Sequence, residues 1–146
     1  MSFFDAIDVA ASGLTAERTR MDVTAENLAN AQTTNGPGGQ PYQRQEVVLQ
    51  QVGGNQFQTT LAGAMGAAQT PGGVQVAGIV SDPTPDQLVY DPGHPGANAQ
   101  GYVRMPNVNP VTEMTDLIDE SNSYQADVTA MNTAKQMFTK TLELLK

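Results

Sequence analysis

Two stripes of apolar residues at seven-residue spacing, one at each end, organise the chain. In the tail, Leu117, Tyr124, Met131, Phe138 and Leu145 recur every seven positions, with Met114, Ser121, Val128, Lys135 and Leu142 interleaved at three-and-four spacing. That pattern predicts a single helix over 109–146 carrying a coiled-coil seam. Asn109 suits the N-cap, and Pro110 suits the first helical position, where its missing N–H costs nothing. Glu113, Asp116, Asp119 and Glu120 crowd the start of this helix while Lys135, Lys140 and Lys146 lie toward its finish, the order the helix dipole favours. In the head, Ile7, Leu14, Met21 and Leu28 repeat every seven residues with Phe4, Ala11, Arg18 and Ala25 between them. A second helix is therefore expected from residue 3 to about residue 30. Arg18 and Lys135 occupy the two seams, where long basic side chains bury their stems and reach outward with their charges. The small residues Ala10, Ala11, Ser12 and Gly13 permit another helix to approach closely. A tail helix of about 37 residues spans roughly 55 Å, about twice what a compact domain of this size needs. Part of its seam is therefore expected to face the middle of the chain or another chain.

The middle has a different character. Thirteen of the fourteen glycines and seven of the nine prolines fall between residues 35 and 105, which confines helix to the two ends. Candidate strands are 42–52, 74–80, 87–90 and 102–105. Turns separate them at Gly53-Gly54-Asn55, Pro71-Gly72-Gly73, Asp82-Pro83-Thr84-Pro85 and Asp91-Pro92-Gly93-His94-Pro95-Gly96. Residues 56–70, rich in Gln, Ala, Gly and Thr, lack a clean period, and a mobile loop or a poorly ordered hairpin is expected near 53–70. The predicted class is α+β. Long N- and C-terminal helices (1–34 and 106–146) pair as a coiled-coil domain, and residues 35–105 form a small β-rich domain with a thin core.

Composition narrows the chemistry. Cysteine is absent, which excludes a disulfide framework, a thiolate nucleophile and a cysteine-ligated metal. A net charge of −8 with seven basic residues argues against nucleic acid and anionic membrane surfaces as partners. No apolar run approaches the roughly 20 residues that span a bilayer. The start Met1-Ser2-Phe3-Phe4-Asp5 has no basic residue before Arg18, so no cleavable secretory signal is expected. His94, the lone histidine, lies in a Pro/Gly turn and reads as a solvated turn residue rather than a catalytic base. Asp82, Thr84 and Asp86 have oxygen-ligand spacing, but Gln87 and Gly93 stand where a calcium loop needs glycine and glutamate. Glu113, Asp116 and Glu120 share a helix face without a histidine and read as a solvated, dipole-complementing face. The glycine pairs match neither the phosphate loop nor the dinucleotide fingerprint. No catalytic, metal or cofactor-binding residue is assigned, and no cofactor is expected.

Longer motifs carry a resemblance. Residues Ala11-Ser12-Gly13-Leu14-Thr15-Ala16-Glu17-Arg18, Met21-Asp22-Val23 and Glu26-Asn27-Leu28-Ala29-Asn30-Ala31-Gln32-Thr33-Thr34 resemble the N-terminal signature of bacterial flagellar rod and hook proteins. Further stretches narrow the likeness to proximal-rod members: Pro41-Tyr42-Gln43-Arg44-Gln45-Glu46-Val47-Val48, Leu88-Val89-Tyr90-Asp91-Pro92-Gly93-His94-Pro95, Gly101 to Asn109, Tyr124-Gln125-Ala126 and Asn132-Thr133-Ala134-Lys135. The chain departs from the family pattern at Asn122, Ser123 and Asp127. The resemblance implies a structural, non-enzymatic subunit of the periplasm-crossing rod, exported through the flagellum's own type III apparatus. Its partners would be itself, other rod proteins, the export apparatus and the membrane ring at the rod base. The alternatives are another axial protein, distal-rod or hook-like, or a small soluble enzyme or metal-binding domain.

A free subunit with uncovered seams should complete its burial by helical self-association, at up to about 1.5–3 kcal/mol for each large side chain removed from water. The expected assembly interface comprises Phe4, Ile7, Ala11, Leu14, Arg18, Met21 and Leu28 in the head. In the tail it comprises Met114, Leu117, Tyr124, Val128, Met131, Lys135, Phe138, Leu142 and Leu145. Asn27 and Asn30 are candidates for polar contacts across the packed helices, and Asn30 stands equally as the residue that ends the first helix.

Overall fold

The computed structural model describes residues 3–36, 38–52 and 72–144. The element order is helix α1 (Phe3–Ala29), strands β1 (Gln45–Gln51), β2 (Val74–Ser81), β3 (Gln87–Tyr90) and β4 (Tyr102–Met105), then helix α2 (Pro110–Leu144). The class is α+β, with two long helices and two small two-stranded sheets, β1-β2 and β3-β4. The loop expected over 53–70 lies outside the described residues, as do Leu145 and Lys146.

Local chemistry accounts for the ends of the elements. Asn109 caps α2: its Oδ1 accepts the Val111 N–H at 3.0 Å and its carbonyl accepts the Glu113 N–H at 3.0 Å. Asn30 closes α1. Its backbone N–H and its side-chain Nδ2 both donate to the Glu26 carbonyl at 3.0 Å, and its Oδ1 accepts the Thr33 hydroxyl at 3.2 Å. Of its two expected roles, the structure therefore gives Asn30 the helix end: among the described residues it bonds only to Glu26 and Thr33. The first strand begins at Gln45 rather than Tyr42, because Tyr42 N–H is spent on the Thr33 carbonyl at 3.0 Å, closing the loop after α1.

The chain divides into two compact units. One comprises 1–19, 49–77 and 121–146, and the other 20–48 and 78–120.

In the second unit, β3 pairs antiparallel with β4 in the register Gln87↔Met105, Leu88↔Arg104, Val89↔Val103 and Tyr90↔Tyr102. Tyr90 and Tyr102 meet edge to face, with ring centroids 5.3 Å apart. Gly101 turns the hairpin at φ +80°, and a Cβ there would lie 2.9 Å from the Tyr90 ring, so both conformation and space demand glycine. His94 braces the same turn by accepting the Gly96 N–H on Nδ1 at 3.0 Å. Val103, Val108 and Val23 are buried, and Pro41 and Pro106 join them.

In the first unit, the small-residue run of α1 admits close neighbours. Ser12 Oγ donates to the Val9 carbonyl at 2.7 Å and accepts the Val74 N–H at 3.0 Å, which seats the start of β2 against α1. A Cβ on Gly13 would lie 2.8 Å from Asp127 Oδ2, so glycine is what lets that α2 carboxylate rest on the helix. Asp127 is one of the positions that depart from the family pattern.

The most buried positions of each helix stand one or two residues away from the expected seams. On α1 the buried residues are Ala16, Val23, Thr24 and Asn27; on α2 they are Glu113 and Glu120, with Asp127 and Ala134 half-buried at the same seven-residue spacing. One residue along a helix is a rotation of about 100°. Glu113 and Glu120 are the most covered positions of α2, whereas of the interleaved Met114, Ser121, Val128, Lys135 and Leu142 only Val128 is half-buried and the rest are exposed.

Candidate functional site

The buried polar residues of the second unit converge on one junction. The later half of α1 supplies Arg20, Thr24 and Asn27, the segment entering β1 supplies Tyr42, Arg44 and Gln45, and the first turns of α2 supply Glu113, Asp116 and Glu120. As α1 advances from Arg20 to Asn27, its partners on α2 recede from Glu120 to Glu113, so the two segments run antiparallel here.

Asn27, 1% exposed, uses its whole amide. Oδ1 accepts the Tyr42 hydroxyl and the Gln45 N–H, each at 2.9 Å. Nδ2 donates to the Gln45 carbonyl at 2.9 Å and to Glu113 Oε2 at 3.1 Å. Two donors and two lone pairs are all an asparagine side chain has. The paired bonds to Gln45 continue the ladder pattern of a β-strand onto a helical side chain, tying the start of β1 to α1.

Glu113, also 1% exposed, accepts from Asn27 on one oxygen and from Arg44 Nε at 2.5 Å on the other. A buried carboxylate without such partners would cost several kcal/mol, roughly, or would neutralise. Arg44 is the hub. Its guanidinium also pairs with Glu46, and lies 3.8 Å from Asp82 and 3.6 Å from Asp116. Its hydrogen bond with Glu113 raises its already high pKa, against an opposing desolvation. The Arg44 N–H donates to Asn107 Oδ1 at 2.7 Å, and Asn107 Nδ2 donates to the carbonyls of Asp82 and Thr84 at 3.3 and 3.1 Å. Asn107, two residues before the α2 cap, is thereby fastened to the segment entering β1 and to the one leaving β2. Glu120 accepts the Thr24 hydroxyl at 3.1 Å and lies 3.5 Å from Arg20 Nε. A cavity of about 220 Å³ adjoins the junction, walled by Arg20, Thr24, Asn27, Arg44, Asp116 and Glu120 among others.

Two further groups are perturbed. Burial, then the carboxylates of Glu26 and Glu113, raises the Tyr42 phenol above its ordinary value of 10.0. Asp82 is held below its ordinary 3.8, first by the Thr84 hydroxyl at 2.5 Å, then by the Thr84 N–H at 2.8 Å and by Arg44. Asp82 and Thr84 thus close a turn on themselves, and Asp86 pairs with Arg104 at 2.5 Å. The oxygen spacing noted in the sequence is spent on internal bonds. Among the described residues, no group of three or more His, Asp or Glu side chains is arranged to hold a metal ion. Nor is any helix of those residues long and apolar enough to cross a membrane.

These findings correct one expectation. Glu113 and Glu120 do not form a solvated face; they are the most buried acids of α2, because Arg44, Asn27 and Thr24 reach them from elsewhere in the chain. Asn27 does bond to α2, through Glu113. Sequence reasoning missed Arg44, Tyr42, Asn107 and Thr24 as members of the junction. The one local signal was Arg44 itself, the lone arginine or lysine between Arg20 and Arg104.

The candidate assembly residues fall into two groups. Ile7, Leu14, Met21 and Leu28 on α1, and Leu117, Tyr124, Val128, Met131 and Phe138 on α2, are half-buried. Ala11, Arg18, Met114, Lys135 and Leu142 are exposed. Phe4 and Leu145 have side chains outside the described residues. Among those residues, the buried apolar side chains are Ala16, Val23, Pro41, Val103, Pro106 and Val108, whereas sixteen large hydrophobic residues are exposed, from Val48 in β1 to Leu144 at the end of α2. The surplus lies on the outer face of α2 and on all four strands.

Comparison with known proteins gives this surplus its context. Residues 7–37 match the family model "Flagella basal body rod protein", and residues 99–144 match "Flagellar basal body rod FlgEFG protein C-terminal". The flagellar basal-body rod protein FlgC of Yersinia enterocolitica is 46% identical over 144 residues, covering 99% of this chain and 98% of that one. FlgC of Bacillus subtilis is 46% identical over 151 residues, covering both chains fully, and FlgC of Borreliella burgdorferi is 39% identical over 156 residues, covering 100% of this chain and 99% of that one. The likeness runs the full length of the chain, which therefore belongs to the FlgC flagellar basal-body rod proteins.

Proposed function

We infer that the chain is a structural subunit of the proximal rod of the bacterial flagellar basal body, acting in motility and not as an enzyme. The observation that carries this reading is the burial imbalance: six buried apolar side chains against sixteen exposed large ones among the described residues. A monomer in water rarely leaves so much apolar surface uncovered unless another protein covers it. In a rod subunit that cover comes from neighbours. The half-buried row Leu117, Tyr124, Met131 and Phe138, with Ile7, Leu14, Met21 and Leu28, forms a seam that neighbours complete. The exposed Met114, Lys135 and Leu142 flank it. The terminal helices make the inner, coiled-coil part of the rod around the export channel, and residues 35–105 make an outer β-rich part. The subunit leaves the cytoplasm through the flagellar type III apparatus, and docks on the membrane ring and on other rod proteins in the periplasm.

The polar junction has a definite place in this scheme. Because Asn27 and Glu113 are satisfied only when α1, β1 and α2 stand in one register, the junction sets which helix faces are left outward for assembly. Buried polar groups specify register in this way at the expense of some stability.

The test is replacement of a native FlgC gene by one encoding this chain. Restored motility, with the chain present in isolated hook-basal bodies, is the expected result; its absence from those particles would refute the reading. Lys135→Glu should then reduce rod assembly and motility while export of the subunit continues, and unchanged swimming would remove Lys135 from the interface.

A further inference from the structure

α2 presents two outward patches of matching pattern and opposite charge. The first, in the second unit, is Val111, Met114 and Ile118, spaced three and four apart and all exposed, Val111 at 73%. The exposed Asp119 stands beside it. The second, in the first unit, is Met137 and Leu144, the latter 87% exposed, with the exposed Lys140 between them at three-and-four spacing and Lys135 nearby. Along α2 the charges separate: Glu113, Asp116, Asp119, Glu120 and Asp127 come first with no base among them, and Lys135 and Lys140 follow with Glu143. Glu113 and Asp116 turn toward Arg44, Glu120 toward Arg20, and Asp127 rests on Gly13. Asp119 is left as the acid of the first patch that makes no ion pair among the described residues. Lys135 and Lys140 make none there either.

Resting on the rod reading above, we propose that these patches are the two halves of one contact between successive copies of this chain, Asp119 of one copy meeting Lys140 or Lys135 of the next. The apolar rows supply burial, and the charges supply direction. Pairing like patches would bring Asp119 to Asp119, or lysines to lysines, which electrostatic complementarity disfavours. The contact is therefore head to tail, and it leaves one unused patch of each kind at either end, the condition for open-ended growth.

The test is charge exchange in full-length chains expressed in cells that lack the native copy. Asp119→Lys makes both patches positive and Lys140→Glu makes both negative, and each single variant should lower the yield of rods by about tenfold or more. Expressing the two variants together, or combining both changes in one chain, should restore the yield, since each positive patch again finds a negative one. Full rod yield from both single variants overturns the contact. So does loss of yield that neither combination restores, which is also the result expected if a different rod protein occupies the patch. A second measurement needs no variant: carbodiimide treatment of isolated basal bodies should join Asp119 to Lys140 or Lys135 by an amide bond, and absence of that cross-link overturns the proposal. The rod reading itself fails separately, only if the unchanged chain is missing from those particles.

Discussion

Replacing Asn27 by aspartate changes one NH2 group into an oxygen and alters nothing else in shape. In the folded chain that oxygen would lie 3.1 Å from Glu113 Oε2 and 2.9 Å from the Gln45 carbonyl, at a side chain 1% exposed. Two attractive bonds become acceptor-to-acceptor contacts, one of them between carboxylates. The cheapest relief is for the new acid to stay protonated and donate to Glu113. At about 1.4 kcal/mol per pH unit, holding that proton from an ordinary aspartate value near 3.9 up to pH 7 costs roughly 4 kcal/mol. The second lost donor adds about 1 kcal/mol.

Asn27→Asp should therefore destabilise the second unit by about 5 kcal/mol at pH 7. The sign with pH follows from a folded value raised above the unfolded one: the proton is held at no cost below the unfolded value, and the penalty grows as pH rises. Lowering the pH from 7 to 5 should return about 2.7 kcal/mol of the difference. Urea denaturation followed by far-UV circular dichroism at both pH values measures this, with Asn30→Asp as a control at a position that only closes α1. A difference from the unchanged chain below about 1 kcal/mol at pH 7, or one independent of pH, would refute the junction as drawn.

Three other outcomes follow from the same geometry. Arg44→Met leaves Glu113 buried without its ion pair and should cost about 3 kcal/mol, and adding Glu113→Gln should recover part of the loss, so a double-mutant cycle in urea ought to show coupling of about 1–3 kcal/mol. Tyr42→Phe removes the hydroxyl that Asn27 accepts and should cost about 1 kcal/mol near neutrality. Since the folded Tyr42 value is raised above 10.0, its contribution is intact below that pH and lost above it. An ultraviolet titration should accordingly lose a delayed tyrosinate step in this variant. Gly101→Ala places a Cβ 2.9 Å from the Tyr90 ring at φ +80° and should cost about 1–2 kcal/mol, read as faster hydrogen exchange in β3 and β4 with α2 unaffected.

Much of the architecture was legible in the sequence because it depends on local chemistry. Proline and glycine confined the helices to the two ends, Asn109-Pro110 marked where α2 begins, and the bounds of β3 and β4 follow from the turns around them. The first strand was drawn three residues too long at its start, since the Tyr42 backbone bonds to Thr33, a contact no strand propensity reports. The seam residues at seven-residue spacing do lie half-covered on their helices, but the positions that are most covered on α2 were invisible to a search for apolar periodicity. They are Glu113 and Glu120.

By itself, then, the sequence determined helix, β-rich middle and helix, the absence of thiol chemistry, and through its motifs the family. Only the tertiary structure decided which helix face turns inward. The reason is physical. Periodicity says which side chains share a face, while burial of a carboxylate depends on whether a cation and donors arrive to meet it. Arg44 reaches Glu113 from 69 residues away, and Asn27 from 86. Those partners make acidic positions the innermost ones of α2, and leave Val111, Met114 and Ile118 facing out.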